Sequence, residues 1–364
     1  MSTVAYDDLE LLDSDDDRDL RSAVAGFLAD RCPPSGVAAI YDGDRGLVEP
    51  LWRGLATELG LAGLLVPEEY GGAGASPREA AIVAEELGRA VAPVPFLTSA
   101  VVAATTMAHA PTDAGRALLA DLAEGRRTAA LVVPLTTAFD VPIPTGGGHS
   151  VAGALEADTL LVPVAAGAGI ELRAVPAAEA SITPVVSLDM SRQLADVAVD
   201  GDAGVVVAGD ATAAVRAGLL AGTVLLATEQ VGVAQWCLTT TVAYLQERRQ
   251  FGRVVGGFQA LKHRLADLYT AVEGASAVAR YAAAALAADP QAEEARIAAH
   301  TAASWCSEVA VLAAEEAVQL HGGIGMTWEH PTHLYLKRAK ADQLAFGLPG
   351  HHRAGLGERV GLTV

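Results

Sequence analysis

The sequence predicts a mainly α-helical protein in three units: an N-terminal helical domain over residues 1–125, a small middle β domain over 126–210, and a C-terminal four-helix bundle domain over 211–364. Three observations predict it. Both flanks carry long segments with apolar residues at helical spacing. The middle carries short β-branched runs cut by Gly, Pro and Asp, the pattern of a small antiparallel domain. Residues 213–248 are apolar almost all round, as a helix buried on most sides must be.

Taken in order, residues 17–31 have helical spacing and stop at Pro33-Pro34, and 51–61 form another amphipathic stretch. The acidic run from Asp13 to Asp17 reads as a solvated face or a helix N-terminus. An apolar turn and a glycine-rich loop, GLAGLLVPEEYGGAGAS, follow. Ser76-Pro77-Arg78-Glu79 is a helix start, with Ser76 as N-cap, Pro77 in the first turn and Glu79 closing a capping box. That helix ends before Pro93, and 95–109 and 114–122 give two more. The runs ALVVPL, TLLVPV, IELRAV, ITPVV and ADVAVD are the strands. After the long helix come 258–288, then 290–320 opened by Asp289 as N-cap and Pro290, then a last basic helix over 332–346 with Lys337, Arg338 and Lys340. GLPGHHR reads as a surface turn.

Charge narrows the function. Lys and Arg number 25 against 44 Asp and Glu, a net charge of −19, so a phosphate backbone is repelled and nucleic acid is excluded as main partner. Three scattered cysteines make neither a disulfide framework nor a metal set. The acidic N-terminus has no apolar signal core, and the apolar run 217–228 is too short to span a bilayer, which points to a cytoplasmic protein without a membrane span.

Five pieces, in this order, carry a resemblance: EEYGG, ERRQFG, FQALKHRLAD, QLHGGIG and the basic HLYLKRAKA helix. Each alone is bland. A helix end, a basic cluster favouring the helix dipole, or a glycine cap explains it. Together they resemble the acyl-CoA dehydrogenase family over nearly the whole chain, most weakly in the β zone. The resemblance implies FAD, with Arg248 and Gln250 reaching its pyrophosphate across a subunit interface and Phe251 packing on it. Gln319, Gly322 and Gly323 would line the ADP part. Arginine suits a phosphate through its bidentate fork, and glycine lets backbone approach. Serving a neighbour's FAD implies an oligomer, usually a dimer of dimers.

Two family features are missing. The glutamate that removes the substrate α-proton falls at Phe346 in one subclass and near Gly222 in the other. Glu229, two helical turns on, is the nearest carboxylate and stands as a candidate relocated base. The TEPxxGSD-like stretch and the following Gly-Lys-Trp segment that contact the flavin ring are also absent. His351 and His352 offer a general base in principle. His263 reads as a bundle or interface packing residue, and Asp189 with Arg192 as a pair fixing a β-domain turn.

The expectation is therefore an α,β-dehydrogenase subunit for an acyl-CoA thioester, of fatty acid or steroid side-chain type, that lacks the base and completes the FAD site of a homologous glutamate-bearing subunit. Electron-transfer flavoprotein or another acceptor would take the electrons. Two alternatives stay open: a self-sufficient homotetramer with a relocated base, and a flavin-free acyl-CoA-binding or scaffold relic.

Overall fold

The computed structural model describes residues 9–109, 111–167 and 169–362; the first eight residues of the acidic N-terminal segment lie outside them. Helix α1 (Asp15–Arg31) begins where Ser14 accepts from the Asp17 N–H at 3.1 Å while the Asp17 carboxylate accepts from the Ser14 N–H at 2.9 Å. The acidic run is thus a helix start, with three aspartates in the first turn facing the positive end of the macrodipole. Helices α2 (Pro34–Ala39), α3 (Val48–Thr57) and α4 (Pro77–Arg89) follow, the last opened by the expected Ser76–Glu79 capping box. Residues Phe96–Ala103 form a buried π-helix that runs into α5 (Ala104–Ala108), and α6 (Asp113–Ala123) closes the unit.

Seven strands occupy the middle: β1 (Ala129–Leu131), β2 (Gly148–Ala152), β3 (Thr159–Ala166), β4 (Gly169–Pro176), β5 (Ser181–Val185), β6 (Leu194–Ala198) and β7 (Val205–Ala208). They form one sheet ordered β1-β3-β4-β7 and another ordered β2-β6-β5. The expectation of an antiparallel domain needs one correction. β1 pairs parallel with β3 because β2 between them lies in the other sheet, so the chain re-enters in the same direction. Leu160, Val162, Val175 and Val197 help fill the small core of this unit.

Helix α7 (Thr212–Glu247) is long and apolar enough to cross a membrane, as is the helical stretch Glu293–Met326, yet 94% of the apolar window of α7 is buried inside the protein. Its hydrophobicity on every side is answered by neighbours on every side. The crossing with α4 is close enough to require glycine on both helices: a Cβ on Gly88 would lie 2.0 Å from the Glu229 carbonyl oxygen, and one on Gly232 would lie 1.9 Å from that of Glu85. A short hairpin, β8 (Arg249–Gln250) and β9 (Arg253–Val254), leads into α8 (Gln259–Ala288), α9 (Glu293–His321), α10 (Thr332–Leu344) and α11 (Pro349–Arg359).

Two sequence expectations are corrected here, and a third is narrowed. Helix α9 starts at Glu293 rather than Pro290, because the Asp289 carboxylate accepts from the Gln291 N–H at 2.9 Å and closes a turn instead of a cap. GLPGHHR is not a surface turn but the start of α11, which packs on α9 as a helix additional to α7–α10. His263 is exposed on α8, which excludes the bundle interior and leaves the interface as its expected packing site.

Candidate functional site

The two positions where a catalytic carboxylate is expected meet in space. Helix α10 ends at Leu344, and the chain then turns through Phe346 and Gly347 with φ of +52° and +113°. The Phe346 N–H donates to the Leu135 carbonyl at 2.8 Å, and the Leu135 N–H donates to that of Ser150, also left-handed, at 3.1 Å. This holds the Phe346 ring, 4% exposed, against Gly222 of α7. A Cβ on Gly222 would lie 2.7 Å from Val102 Cγ2 and 3.0 Å from Phe346 Cζ, so even alanine would force a shift. The void beside them is about 20 Å³, room for roughly one water, and Val102, Leu131, Leu135, Leu219 and Phe346 are among its walls. No residue lining it ionises, so it offers no acceptor for a proton.

The leftover candidates for a base are committed elsewhere. Glu229 accepts from both Arg192 Nη2 (2.7 and 2.6 Å) and Arg338 Nη1 (2.6 Å). Burial pushes its pKa up, but the two guanidinium groups outweigh that and hold it below the usual carboxylate value. It is a paired anion, not a poised base. Asp189 and Arg192 do not form the expected pair: Asp189 accepts from Arg338 Nε at 2.5 Å, while Arg192 reaches Glu229 and Asp342. His352 is 1% exposed with its Nδ1 3.0 Å from His300 Nδ1, and His351 Nε2 lies 2.8 Å from Asp140 Oδ1. Burial pushes His300 and His352 down to about 4, so both are neutral near pH 7.

A second cavity, about 490 Å³, opens between the Phe139–Asp140 loop and the starts of α7 and α9. Arg216, Arg296, Arg359 and Asp140 line it, but Arg216 donates to the Phe139 carbonyl and Arg296 and Arg359 pair with Glu293, so its cations are already committed.

At the far end of α7 the picture reverses. Tyr244 stacks on His321 with ring centroids 4.5 Å apart, so α7 and α9 finish together. This brings together the two expected FAD-contacting segments. In the first, Phe251 and Gly252 take φ of +53° and +72° as the two turn residues of the β8–β9 hairpin, the turn whose twist suits such a loop. In the second, Gly322 takes φ of +65° where α9 stops. Arg248, Gln250, Gln319, Gly322 and Gly323 are all exposed, and Phe251 is 87% exposed. Among the described residues no carboxylate pairs with Arg248. A free guanidinium and amides beside bare apolar side chains fit a phosphate-bearing cofactor such as FAD held from outside this chain.

Sequence reasoning missed the buried cluster of Arg338, Asp342, Asp189, Glu229 and Arg192. One signal was present. Leu334, Tyr335, Arg338, Ala339 and Asp342 form one buried stripe of α10, with two charges at core positions of a helix read only as basic.

Comparison with known proteins bears on the family and the fold. Residues 14–126 match the acyl-CoA dehydrogenase N-terminal domain and residues 210–361 the acyl-CoA dehydrogenase C-terminal domain. Acyl-CoA dehydrogenase IpdE2 of Mycobacterium tuberculosis is 40% identical over 88% of this chain and 89% of its own length. Among solved structures, the ChsE4-ChsE5 complex from Mycobacterium tuberculosis superposes with a TM-score of 0.86 at 26% identity, covering 98% of this chain and 100% of that one. A variant of the Tcur3481-Tcur3483 steroid ACAD gives 0.82 at 28% identity, covering 95% and 98%.

Proposed function

The chain belongs to the acyl-CoA dehydrogenase family, and from that premise we propose that it is the non-catalytic subunit of a heteromeric flavin-dependent acyl-CoA dehydrogenase. The observation that carries the proposal is the Phe346 ring packed on Gly222, which leaves a water-sized apolar void where a carboxylate and a thioester would have to meet. The opposite end of α7 supplies the other half of the reading. Arg248, Gln250, Phe251, Gln319, Gly322 and Gly323 are exposed together and serve the FAD of a homologous glutamate-bearing subunit. FAD supplies the hydride acceptor for α,β-dehydrogenation of the acyl-CoA thioester. This chain's residues bind and orient it, and the proton is taken by the partner. One structural relative is the ChsE4-ChsE5 complex, and another is a variant of the Tcur3481-Tcur3483 steroid ACAD. A steroid side-chain thioester is accordingly the substrate class to try first.

The test is to purify this chain alone and together with a glutamate-bearing homologue and to record flavin absorbance and turnover. The expected result is a colourless, inactive chain alone and an active tetramer holding two FAD rather than four. A chain that is yellow alone and oxidises a thioester would overturn the proposal.

A further inference from the structure

Five ionisable side chains meet, nearly dry, where the loop between β5 and β6 joins α7 and α10. Side-chain exposures are 0% for Asp189, 11% for Arg192, 6% for Glu229, 1% for Arg338 and 1% for Asp342. Two guanidinium groups face three carboxyl groups. With all three ionised the cluster would carry an uncompensated buried negative charge, and a buried unpaired charge is costly enough that a group takes up a proton instead.

The hydrogen bonds decide which carboxyl takes it. Asp189 accepts from Arg338 Nε (2.5 Å), the Ser191 N–H (2.9 Å), the Ser191 hydroxyl (2.5 Å) and the Tyr41 hydroxyl (3.0 Å). Glu229 accepts from two arginines through three contacts. Asp342 accepts only from Arg192, through Oδ1, and its buried Oδ2 has no partner among the described residues. It is the least compensated of the three.

We propose that Asp342 is a proton-linked lock: it holds a proton in the closed fold, and its ionisation sets a third buried carboxylate against Glu229 and Asp189 and so loosens the joint that the cluster makes between the β5–β6 loop and the bundle. The charged groups facing it are Arg192 and Asp189 from the β5–β6 loop, Glu229 from α7 and Arg338 from its own helix. Lys337 and the Cys32 thiol stand further out, in the fields of Asp189 and Arg338 respectively. Burial raises Asp342, Arg192 and Arg338 oppose the rise, Glu229 and Asp189 add to it, and the group is pushed up to about 7. An aspartate in the unfolded chain ionises near pH 3.9. The folded state therefore binds the proton more tightly, and the stability it contributes is lost as pH rises from about 4 to about 7, then levels off. The lock goes beyond the subunit role proposed above and does not depend on it.

The experiment compares the full chain with Asp342→Asn in thermal unfolding from about pH 4.5 to 8.5, with hydrogen exchange of residues 187–193 and infrared spectra recorded alongside. The expected result is that the variant gains on the wild type as pH rises and is the more stable of the two above pH 7. In the wild type alone, amides of 187–193 should exchange faster above pH 7 than in the variant at the same pH. The infrared band of a protonated carboxylic acid should fade with a midpoint near pH 7. Burial also raises Glu156, so Glu156→Gln identifies its share of that band. Parallel pH profiles for the two proteins would overturn the lock. So would a wild-type spectrum at about pH 5.5 with no acid band beyond that of Glu156, a reading that stands even if Asp342→Asn does not fold.

Discussion

Phe346 and Phe251 adopt nearly the same strained backbone, with φ of +52° and +53°, and have opposite surroundings. Phe346 is 4% exposed and pressed on α7 near its start; Phe251 is 87% exposed just past its end. Along the helix axis, Gly222 and Arg248 are about 40 Å apart at 1.5 Å per residue. Left-handed backbone at a non-glycine residue costs of order 1–3 kcal/mol and persists only when its surroundings over-determine it. At Phe346 the core does this, through the Leu135 hydrogen bond and a ring that fills the space over Gly222. At Phe251 a two-residue hairpin turn and an edge-on contact with the Phe258 ring, centroids 6.1 Å apart, do it among the described residues, and the exposed ring next to free donors fits the proposed surface completed by another molecule. On the function proposed above, the two ends divide two tasks: the acid–base interior is filled in, and the exterior that would hold the cofactor is kept.

The largest effect that could break this contrast is expected at the buried ring. Phe346→Ala should cost about 3–5 kcal/mol of unfolding free energy, the usual penalty for emptying a core aromatic site, measured by urea denaturation. Phe251→Ala should stay within about 0.5 kcal/mol, as surface changes do, while reducing FAD retention in the assembled complex. Equal stability losses at both sites would erase the distinction. So would an FAD loss on Phe346→Ala as large as that on Phe251→Ala.

A smaller effect tests the exposed end directly. A charge-assisted hydrogen bond contributes about 1.5–3 kcal/mol, so Arg248→Ala should weaken FAD binding in the complex by roughly ten- to a hundredfold. The chain's own melting temperature should stay in place, because no carboxylate among the described residues depends on Arg248. Titration of the reconstituted apo-complex with FAD reads this, and unchanged affinity would remove Arg248 from the site.

The readable parts of the molecule were those set by neighbours in sequence. The Ser76–Glu79 capping box, the long apolar α7 and the QLHGGIG stop are local signals, and the structure places each where the residues put it. What was misread depends on distant partners. The parallel β1–β3 pairing follows from a strand inserted in another sheet. Helix α11 holds three glycines in eleven residues, a composition that argues against a helix, and it forms because α9 receives it, with His352 buried against His300. Arg192 meets Glu229 and Asp342 from 37 and 150 positions away. No periodicity records such a pairing, so a turn-local partner for Arg192 was the natural and mistaken choice.

The smallest expected effect concerns the histidines beside the filled site, and it runs against the Asp342 lock. His352 is held neutral, pushed down to about 4 by burial first and then by His300 and His351, whereas a histidine in the unfolded chain protonates near pH 6.5. Its contribution is therefore fully present above about pH 6.5 and is lost as pH falls toward 4, the reverse of Asp342. In the wild type the two trends offset each other over most of that window. In the Asp342→Asn background the opposing Asp342 trend is gone, so stability should fall more steeply toward acid than in the wild type. Adding His352→Gln should flatten that fall, by less than about 1 kcal/mol at pH 6, where the unfolded histidine is only partly protonated. If the double variant falls as steeply as Asp342→Asn alone, the histidine proton is already present in the folded chain. The interior at Phe346 would then be wetter than its packing implies, and the contrast between the two ends of α7 would lose its buried half.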